Sequence, residues 1–354
     1  MNLASWLETW GDSNVLAMAG ALVGFIFGMA AQRTRFCARA AVIECCEGQT
    51  GDRFSVWWLA FGACLVGVQA LVLAGWLKPS DARYIAQPGS VSGAVLGGLC
   101  FGAGMILTRG CASRLLILSA NGNLRALLAG LVFAVTVQAS IAGWLAPARQ
   151  TMASWWPMDG GPARDLLHVS GLGPVGGLVL ALLALLTGFY FFFKTHQRRW
   201  GLALGALTTG LTIALGWGLT QAIAAHSFEA VQIQSLSFSS ASAEMLMRAL
   251  SSATAPRWGF DAGLLPATFL GSLLGALVGG EFKFEGFKEE NKLGHYLIGA
   301  VLMGFGAVLA GGCTVGAGMT GGAVFSLTAW LTLIAIWLGA GLAWRINRSM
   351  GWPI

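Results

Sequence analysis

Long uncharged segments constrain the fold of this chain more than any other feature. Hydrophobic residues make up 56% of the sequence and charged residues only 10%, which lies outside the usual range of water-soluble domains. A helix of about 20 apolar residues crosses a bilayer core, and runs this continuous do not fit the alternating pattern of a membrane β-barrel. The sequence therefore predicts an all-α polytopic membrane protein. The predicted spans are 15–32, 54–77, 126–148, 169–193, 201–225 and 262–280, together with the longer run 296–344.

The net charge of +6 does not predict a nucleic-acid partner, because basic residues collect at the cytoplasmic ends of membrane segments. Two basic clusters are expected to face the cytoplasm. The polar segment 226–261 between them, and the loop 149–168, are then expected to form loops outside. The first cluster is Lys194, Arg198 and Arg199, and the second is Lys283, Lys288 and Lys292.

Glycine interrupts the longest apolar run. The chain contains 51 glycines, about twice the usual fraction. The run 296–344 is too long for one span, and its strongest break is "GGCTVGAGMTGG" at 311–322. Non-helical backbone at membrane depth is tolerated only inside protein or beside a water-filled cavity. The break is therefore predicted to line an internal path.

A glycine and cysteine pattern recurs along the chain. Residues 102–113 read "GAGMILTRGCAS" and residues 304–315 read "GFGAVLAGGCTV", and a weaker copy at 28–39 reads "GMAAQRTRFCAR". In each copy a glycine precedes a cysteine by nine positions. Glycine-interrupted repeats are typical of the central sites of transporters. The repeat, together with the placement of the basic clusters, predicts an all-α bundle in two halves of inverted orientation, residues 1–165 and 171–354.

The three repeated cysteines, Cys37, Cys111 and Cys313, are the candidate site residues. Each follows a glycine-rich turn where a new short helix is expected to begin. The first N–H groups of a helix have no backbone partner and attract anions, and a cysteine there is biased toward its thiolate form. Their neighbours Gly110, Gly311 and Gly312 lack a Cβ and let a substrate approach the backbone closely. The alternative is that tightly packed glycines simply surround small buried cysteines.

Arginines close to these cysteines are candidates for binding the substrate's charge. Arg109 lies within the copy at 102–113 and Arg114 directly follows it, in a region where a charge in the membrane is costly and needs a partner. A bound anion is one such partner. The alternative is that both side chains reach the interface or backbone carbonyls. Arg33, Arg35 and Arg39, within the copy at 28–39, fit membrane anchoring equally well, and Glu44 and Glu47 lie near enough in the sequence to be partners for them.

The remaining cysteines and histidines do not indicate a metal or a cofactor. Cys45, Cys46, Cys64 and Cys100 lie outside the repeat and are interpreted as small packing residues. No C-x-x-C or H-E-x-x-H spacing occurs in the sequence, so a redox pair or a zinc site is not predicted. The fifteen tryptophans, including Trp57, Trp155 and Trp200, are interpreted as an interfacial belt.

Two of the motifs resemble those of the YeeE/YedE family of sulfur-compound transporters. "QRTRFC" at 32–37 is similar to the family's Q-R-x-R-F-C signature, and "LAGGCTVG" at 309–316 is similar to its L-A-G-G-C-T-x-G signature. The resemblance implies a multi-pass inner-membrane protein of two pseudo-symmetric, inverted halves, whose short broken helices meet near the membrane midplane. It implies import of thiosulfate or a similar anion past Cys37, Cys111 and Cys313. It also implies delivery to a small cytoplasmic sulfurtransferase of the TusA type. The second copy differs, because "TRGCASR" stands where the family commonly has A-G-G-C-A-T-G.

Three functions are therefore compatible with the sequence. The first is a transporter that imports a small sulfur anion and is not an enzyme. The second is a membrane thiol oxidoreductase or sulfurtransferase with a covalent intermediate on Cys111, although no general base or resolving cysteine stands at a recognisable spacing. The third is a channel for a different anion, in which the thiols have no role.

Overall fold

The computed structural model describes residues 3–195, 199–227, 229–251, 258–286 and 293–351. Within these ranges nine helical segments are long and apolar enough to cross a membrane, which confirms the all-α polytopic fold. The unbroken segments are α4 (Asp52–Leu73), α8 (Leu124–Ala142), α11 (Gly173–Lys194), α12 (Trp200–His226), α14 (Phe260–Val278) and α16 (Leu327–Ser349). The interrupted segments are α2 (Asp12–Thr34) with α3 (Ala38–Cys46), α6 (Val91–Leu107) with α7 (Ala112–Ala120), and α15 (Leu293–Leu309) with a π-helix (Thr314–Gly321).

Short elements fill the connections. A two-stranded antiparallel ribbon pairs Gly89 with Met158. The segment 226–261, expected to be a loop, contains the helix α13 (Phe238–Leu250) and several buried side chains. It is bound to α12, because the Ser235 hydroxyl donates to the Ile213 carbonyl and the Thr220 hydroxyl donates to the Gln234 carbonyl. The short elements are α1 (Leu3–Trp10), α5 (Arg83–Ala86), β1 (Gly89–Ser90), α9 (Ala146–Ala153), β2 (Pro157–Met158), α10 (Leu166–Val169) and α13 (Phe238–Leu250).

Glycines bring pairs of helices into backbone contact. A Cβ on Gly24 would collide with the carbonyl of Leu264 in α14, and a Cβ on Gly102 would collide with the carbonyl of Ile336 in α16. Small residues four positions apart permit this approach in membranes. Gly28 and Gly98 approach the backbones of α14 and α16 in the same way, so each pair of glycines four positions apart lies at a helix contact.

Trp57 corrects the interpretation of the tryptophans. Its side chain is only 1% exposed, it stacks on Phe61, and it meets the edge of Trp337. Trp155 and Trp200 are exposed, as an interfacial position requires. Sequence position alone placed Trp57 near a segment end, but α4 is covered on that side by aromatic residues of α16.

Two ends of the bundle can be defined from contacts between helices. At the first end, the start of α2 meets the end of α12, where the Ser227 hydroxyl bonds to Asp12. At the second end, Arg35, which follows α2, forms an ion pair with Glu281, which lies just beyond α14. Of the predicted basic clusters, Arg198, Lys288 and Lys292 lie outside the described residues.

Candidate functional site

Each of the three breaks has the same backbone geometry. The residue two positions before the cysteine adopts a left-handed conformation, with φ of 52° at Arg35, 58° at Arg109 and 79° at Gly311. Glycine adopts this conformation without strain, whereas arginine does so at a cost. The repeat in the sequence is thus also a repeat in backbone conformation, even where arginine replaces glycine.

The three repeated cysteines are the residues at which the short helices begin. Cys37 precedes α3, Cys111 precedes α7, and Cys313 precedes the π-helix. The Cys313 sulfur accepts a hydrogen bond from the Gly316 N–H at 3.3 Å. Other N–H groups of the first turns have no partner in the helix, and the partial positive charge of a helix start favours an anion beside them.

The cysteines lie near one another. Cys37 and Cys111 are within electrostatic range of each other, and the Thr314 hydroxyl lies beside the Cys111 thiol. That hydroxyl is buried and has no well-formed hydrogen bond, although it follows Cys313 directly in the chain. Cys111 and Cys313 are fully buried, and Cys37 is partly exposed.

Ser237 is a functional candidate that sequence reasoning missed. It begins α13 as the cysteines begin the other short helices, and its hydroxyl lies 3.2 Å from that of Ser239. A Cβ added to Gly316 in the π-helix would lie 2.7 Å from the Ser237 hydroxyl. A serine before an apolar helical stretch is a usual N-cap signal, but the polar composition around it favoured a loop.

The two candidate arginines occupy different environments. Arg114 interacts with Cys37 and Cys111, and one of its terminal nitrogens is buried without a hydrogen-bond partner. Arg109 lies instead over the ring of Tyr296, 5.9 Å from its centroid, and Arg125 lies over the same ring at 5.7 Å. The structure therefore places Arg114 with the thiols and Arg109 with an aromatic side chain on α15.

The three candidate glycines differ in their surroundings. A Cβ on Gly110 would make only ordinary contacts, the nearest at 3.4 Å from a methyl of Leu115. Gly311 requires the left-handed backbone conformation. A Cβ on Gly312 would lie 2.6 Å from the Ala317 nitrogen and 3.1 Å from the Tyr84 hydroxyl. Gly312 is therefore the position at which a side chain would most directly block the space around Cys313.

A cavity of about 400 Å³ opens beside Gly311. Its lining comes from the segment between α4 and α6, from α9 and the loop after it, from the end of α15 and the break that follows, and from the start of α16. Its lining contains Arg83, Arg149 and Arg164 and no carboxylate. The Arg164 guanidinium donates to the Gln87 carbonyl and to the Thr328 hydroxyl, and burial lowers the pKa of Arg164 from its ordinary value. A basic cavity of this kind attracts anions.

A second cavity, of about 290 Å³, lies at the second end. Arg35 pairs there with Glu281 at 3.0 Å. Glu44, one of the two acidic residues considered as partners for these arginines, instead accepts hydrogen bonds from the Arg53 and Phe54 backbone N–H groups at the start of α4. The charged residues lining this cavity are Arg33, Arg35, Asp52, Arg53, Arg199 and Glu281.

The other cysteines have separate surroundings. Cys64 is buried and donates to the Met319 carbonyl at 3.6 Å. Cys45 is exposed, so the packing interpretation does not hold for it. In the part of the chain that the structure describes, no group of three His, Cys, Asp or Glu side chains is placed to hold a metal ion.

Comparison with known proteins gives consistent matches over nearly the whole chain. A family model described as sulphur transport matches residues 33–342. The thiosulfate transporter TsuA of Spirochaeta thermophila is 27% identical over 347 residues, which cover 94% of this chain and 97% of the relative. The thiosulfate transporter TsuA of Escherichia coli K12 is 27% identical over 346 residues, with 93% and 94% coverage. The family match includes all three breaks.

Proposed function

Because the chain belongs to the sulphur transport family and therefore transports a sulfur compound, we propose that its cargo is a small sulfur-containing anion, with thiosulfate the first candidate. The family and both relatives are transporters, so the chain is a transporter and not an enzyme. The relatives are named for thiosulfate, and the proposal extends that substrate to this chain.

The observation that carries the proposal is the group of helix starts around Cys37, Cys111 and Cys313. Sulfur-anion oxygens accept hydrogen bonds from helix-start N–H groups and from the Arg114 guanidinium, which has a buried nitrogen without a partner. The terminal sulfur of thiosulfate meets a thiol, which is a weak donor and a weak acceptor. Weak contacts let the anion move from one thiol to the next without being held.

The two cavities extend this path toward both ends of the bundle. Gly311 lines the first cavity and stands two residues before Cys313. Arg35 lines the second and stands two residues before Cys37. We propose that an anion enters through one basic cavity, passes the three thiols and leaves through the other.

The proposed inverted halves, 1–165 and 171–354, are supported by the order of the elements. The first half contains an interrupted segment, an unbroken helix, a second interrupted segment and a second unbroken helix. The second half begins with the additional helix α11 and then follows the same order, if α12 with α13 is counted as interrupted. α2 runs parallel to α14, since Gly20, Gly24 and Gly28 meet successive turns that begin at Phe260. α4 likewise runs parallel to α12. Ala60 meets Gly210, and Gly67, further along α4, meets Ala214, further along α12.

We further propose that the protein lies in the cell inner membrane and delivers its cargo to a TusA-like cytoplasmic sulfurtransferase. An acceptor that consumes the anion keeps its internal concentration low, so uptake continues. Addition of such a sulfurtransferase inside vesicles is expected to increase net thiosulfate uptake, and an unchanged rate would count against the partner.

Uptake by proteoliposomes tests the proposed function. Vesicles containing the purified protein are expected to take up labelled thiosulfate faster than labelled sulfate, and alkylation of the thiols is expected to block uptake. Equal transport of chloride and thiosulfate, unaffected by alkylation, would favour an anion channel. A persulfide found by mass spectrometry on Cys111 after incubation with thiosulfate would favour a covalent mechanism.

A further inference from the structure

Asp261 is a buried carboxylate that the proposed path does not use. It lies in the first turn of α14 and is 4% exposed. Within the described part of the chain it is the one buried Asp or Glu. An ionisable side chain inside a membrane protein is costly and usually has a function.

The surroundings of Asp261 leave its charge incompletely compensated. One carboxylate oxygen is buried and has no hydrogen-bond partner, while Ser240 of α13 lies within hydrogen-bonding range of the group. The charged side chains that act on it are Arg83 of α5 and Glu244 of α13. Glu244 is itself paired with Arg248 at 3.1 Å. α2 faces this turn with the small residues Ala17 and Ala21.

Asp261 is also connected to the proposed path. Tyr84 is within electrostatic range of both Asp261 and Cys313, and its hydroxyl lies beside Ser237. Tyr84 and Arg83 line the basic cavity of about 400 Å³. The Tyr84 hydroxyl is buried without a well-formed hydrogen bond. Tyr84 and Arg83 therefore belong both to the lining of the cavity and to the surroundings of the carboxylate.

We propose that Asp261 binds and releases a proton in each transport cycle, so that the sulfur anion enters together with a proton. The carboxylate takes a proton from the first cavity and becomes a neutral acid, and it releases that proton on the other side when the anion leaves. A dianion moves inward against an inside-negative potential at a cost, and each proton bound offsets one of its charges. The inference rests on the proposed function, because it requires that the chain transport an anion.

The test compares two assays on the same proteoliposomes. Net accumulation of labelled thiosulfate is measured with and without an inward proton gradient, and exchange of labelled for unlabelled thiosulfate is measured at equal pH. Coupling to one proton raises the accumulation ratio about tenfold for a gradient of about one pH unit. Asp261→Asn, which cannot titrate, is expected to lose this increase and to retain exchange.

Matched variants separate coupling from folding. Asp261→Glu is expected to keep the response to the gradient, and Asp159→Asn, at an exposed position, is expected to behave as wild type. The inference would be overturned if Asp261→Asn still responded to the proton gradient. It would also be overturned if the wild-type protein exchanged thiosulfate but its net accumulation did not respond to the gradient. Loss of exchange in Asp261→Asn, with a wild-type unfolding temperature, would likewise overturn it. Absence of exchange in the wild type would instead refute the proposed function.

Discussion

Replacement of Arg114 by glutamine removes the guanidinium that lies beside Cys37 and Cys111 and keeps a polar side chain in its place. One nitrogen of Arg114 is buried without a hydrogen-bond partner, and the group interacts with both thiols. In the proposed mechanism this nitrogen donates to an oxygen of the passing anion. The substitution is therefore expected to weaken transport without weakening the fold.

The size of the effect follows from the bond that is lost. A hydrogen bond to a charged group contributes about 1.5 to 3 kcal/mol, which corresponds to a loss of about 10- to 150-fold in kcat/KM. The assay is the initial rate of labelled thiosulfate uptake into proteoliposomes over a range of concentrations. The unfolding temperature in detergent is expected to stay the same or rise, because a buried charge without a partner destabilises a protein.

Arg348→Gln serves as the control, since Arg348 is exposed near the end of α16 and lies over Trp344. It is expected to transport at the wild-type rate. An Arg114→Gln variant whose kcat/KM falls by less than about threefold, well below the loss of one charge-assisted hydrogen bond, would refute the reasoning. Arg114 would then be a structural residue of the break.

Two further substitutions test the packing. Gly102→Val introduces a side chain against the backbone of Ile336 in α16 and is expected to destabilise the fold by about 1 to 3 kcal/mol or more, seen as a lower unfolding temperature in detergent. Gly130→Ala, with no atom within 4 Å of the added Cβ, is its control, and equal unfolding temperatures would contradict the packing argument. Trp57→Ala is expected to lower the free energy of unfolding by about 3 to 5 kcal/mol, because the ring is fully buried. Trp155→Ala, at an exposed ring, is expected to leave the stability nearly unchanged. An unchanged stability of Trp57→Ala would be inconsistent with a position of this ring in the core.

Most of the membrane-spanning helices could be predicted because length and lack of charge are local properties. The run 201–225 became α12, Trp200–His226, and the run 262–280 became α14, Phe260–Val278. The positions of the breaks were also predictable, since a cysteine repeated at one spacing marks the start of each short helix. Local sequence is sufficient for these features, because a membrane span is recognised by its length and apolar composition, whichever helices pack against it.

The arrangement of side chains around the breaks could not be predicted from the sequence. Arg109 and Arg114 lie five positions apart, yet one meets Tyr296 of α15 and the other meets Cys37. Ser237 approaches Gly316 from a segment almost 80 positions away. These contacts depend on which helices pack together, and hydropathy contains no information about partner choice.

The central claim is that an anion passes the three repeated thiols. Its most direct test is the uptake of labelled thiosulfate into proteoliposomes that contain a triple variant with Cys37→Ser, Cys111→Ser and Cys313→Ser. Serine has nearly the same shape as cysteine, but its hydroxyl is harder and more strongly hydrated. The matched control is a Cys45→Ser and Cys100→Ala double variant, in which neither cysteine belongs to the repeat, and it is expected to transport normally. The account predicts that the triple variant folds and that its uptake falls close to the rate of empty vesicles. Uptake at the wild-type rate by the triple variant would contradict the account.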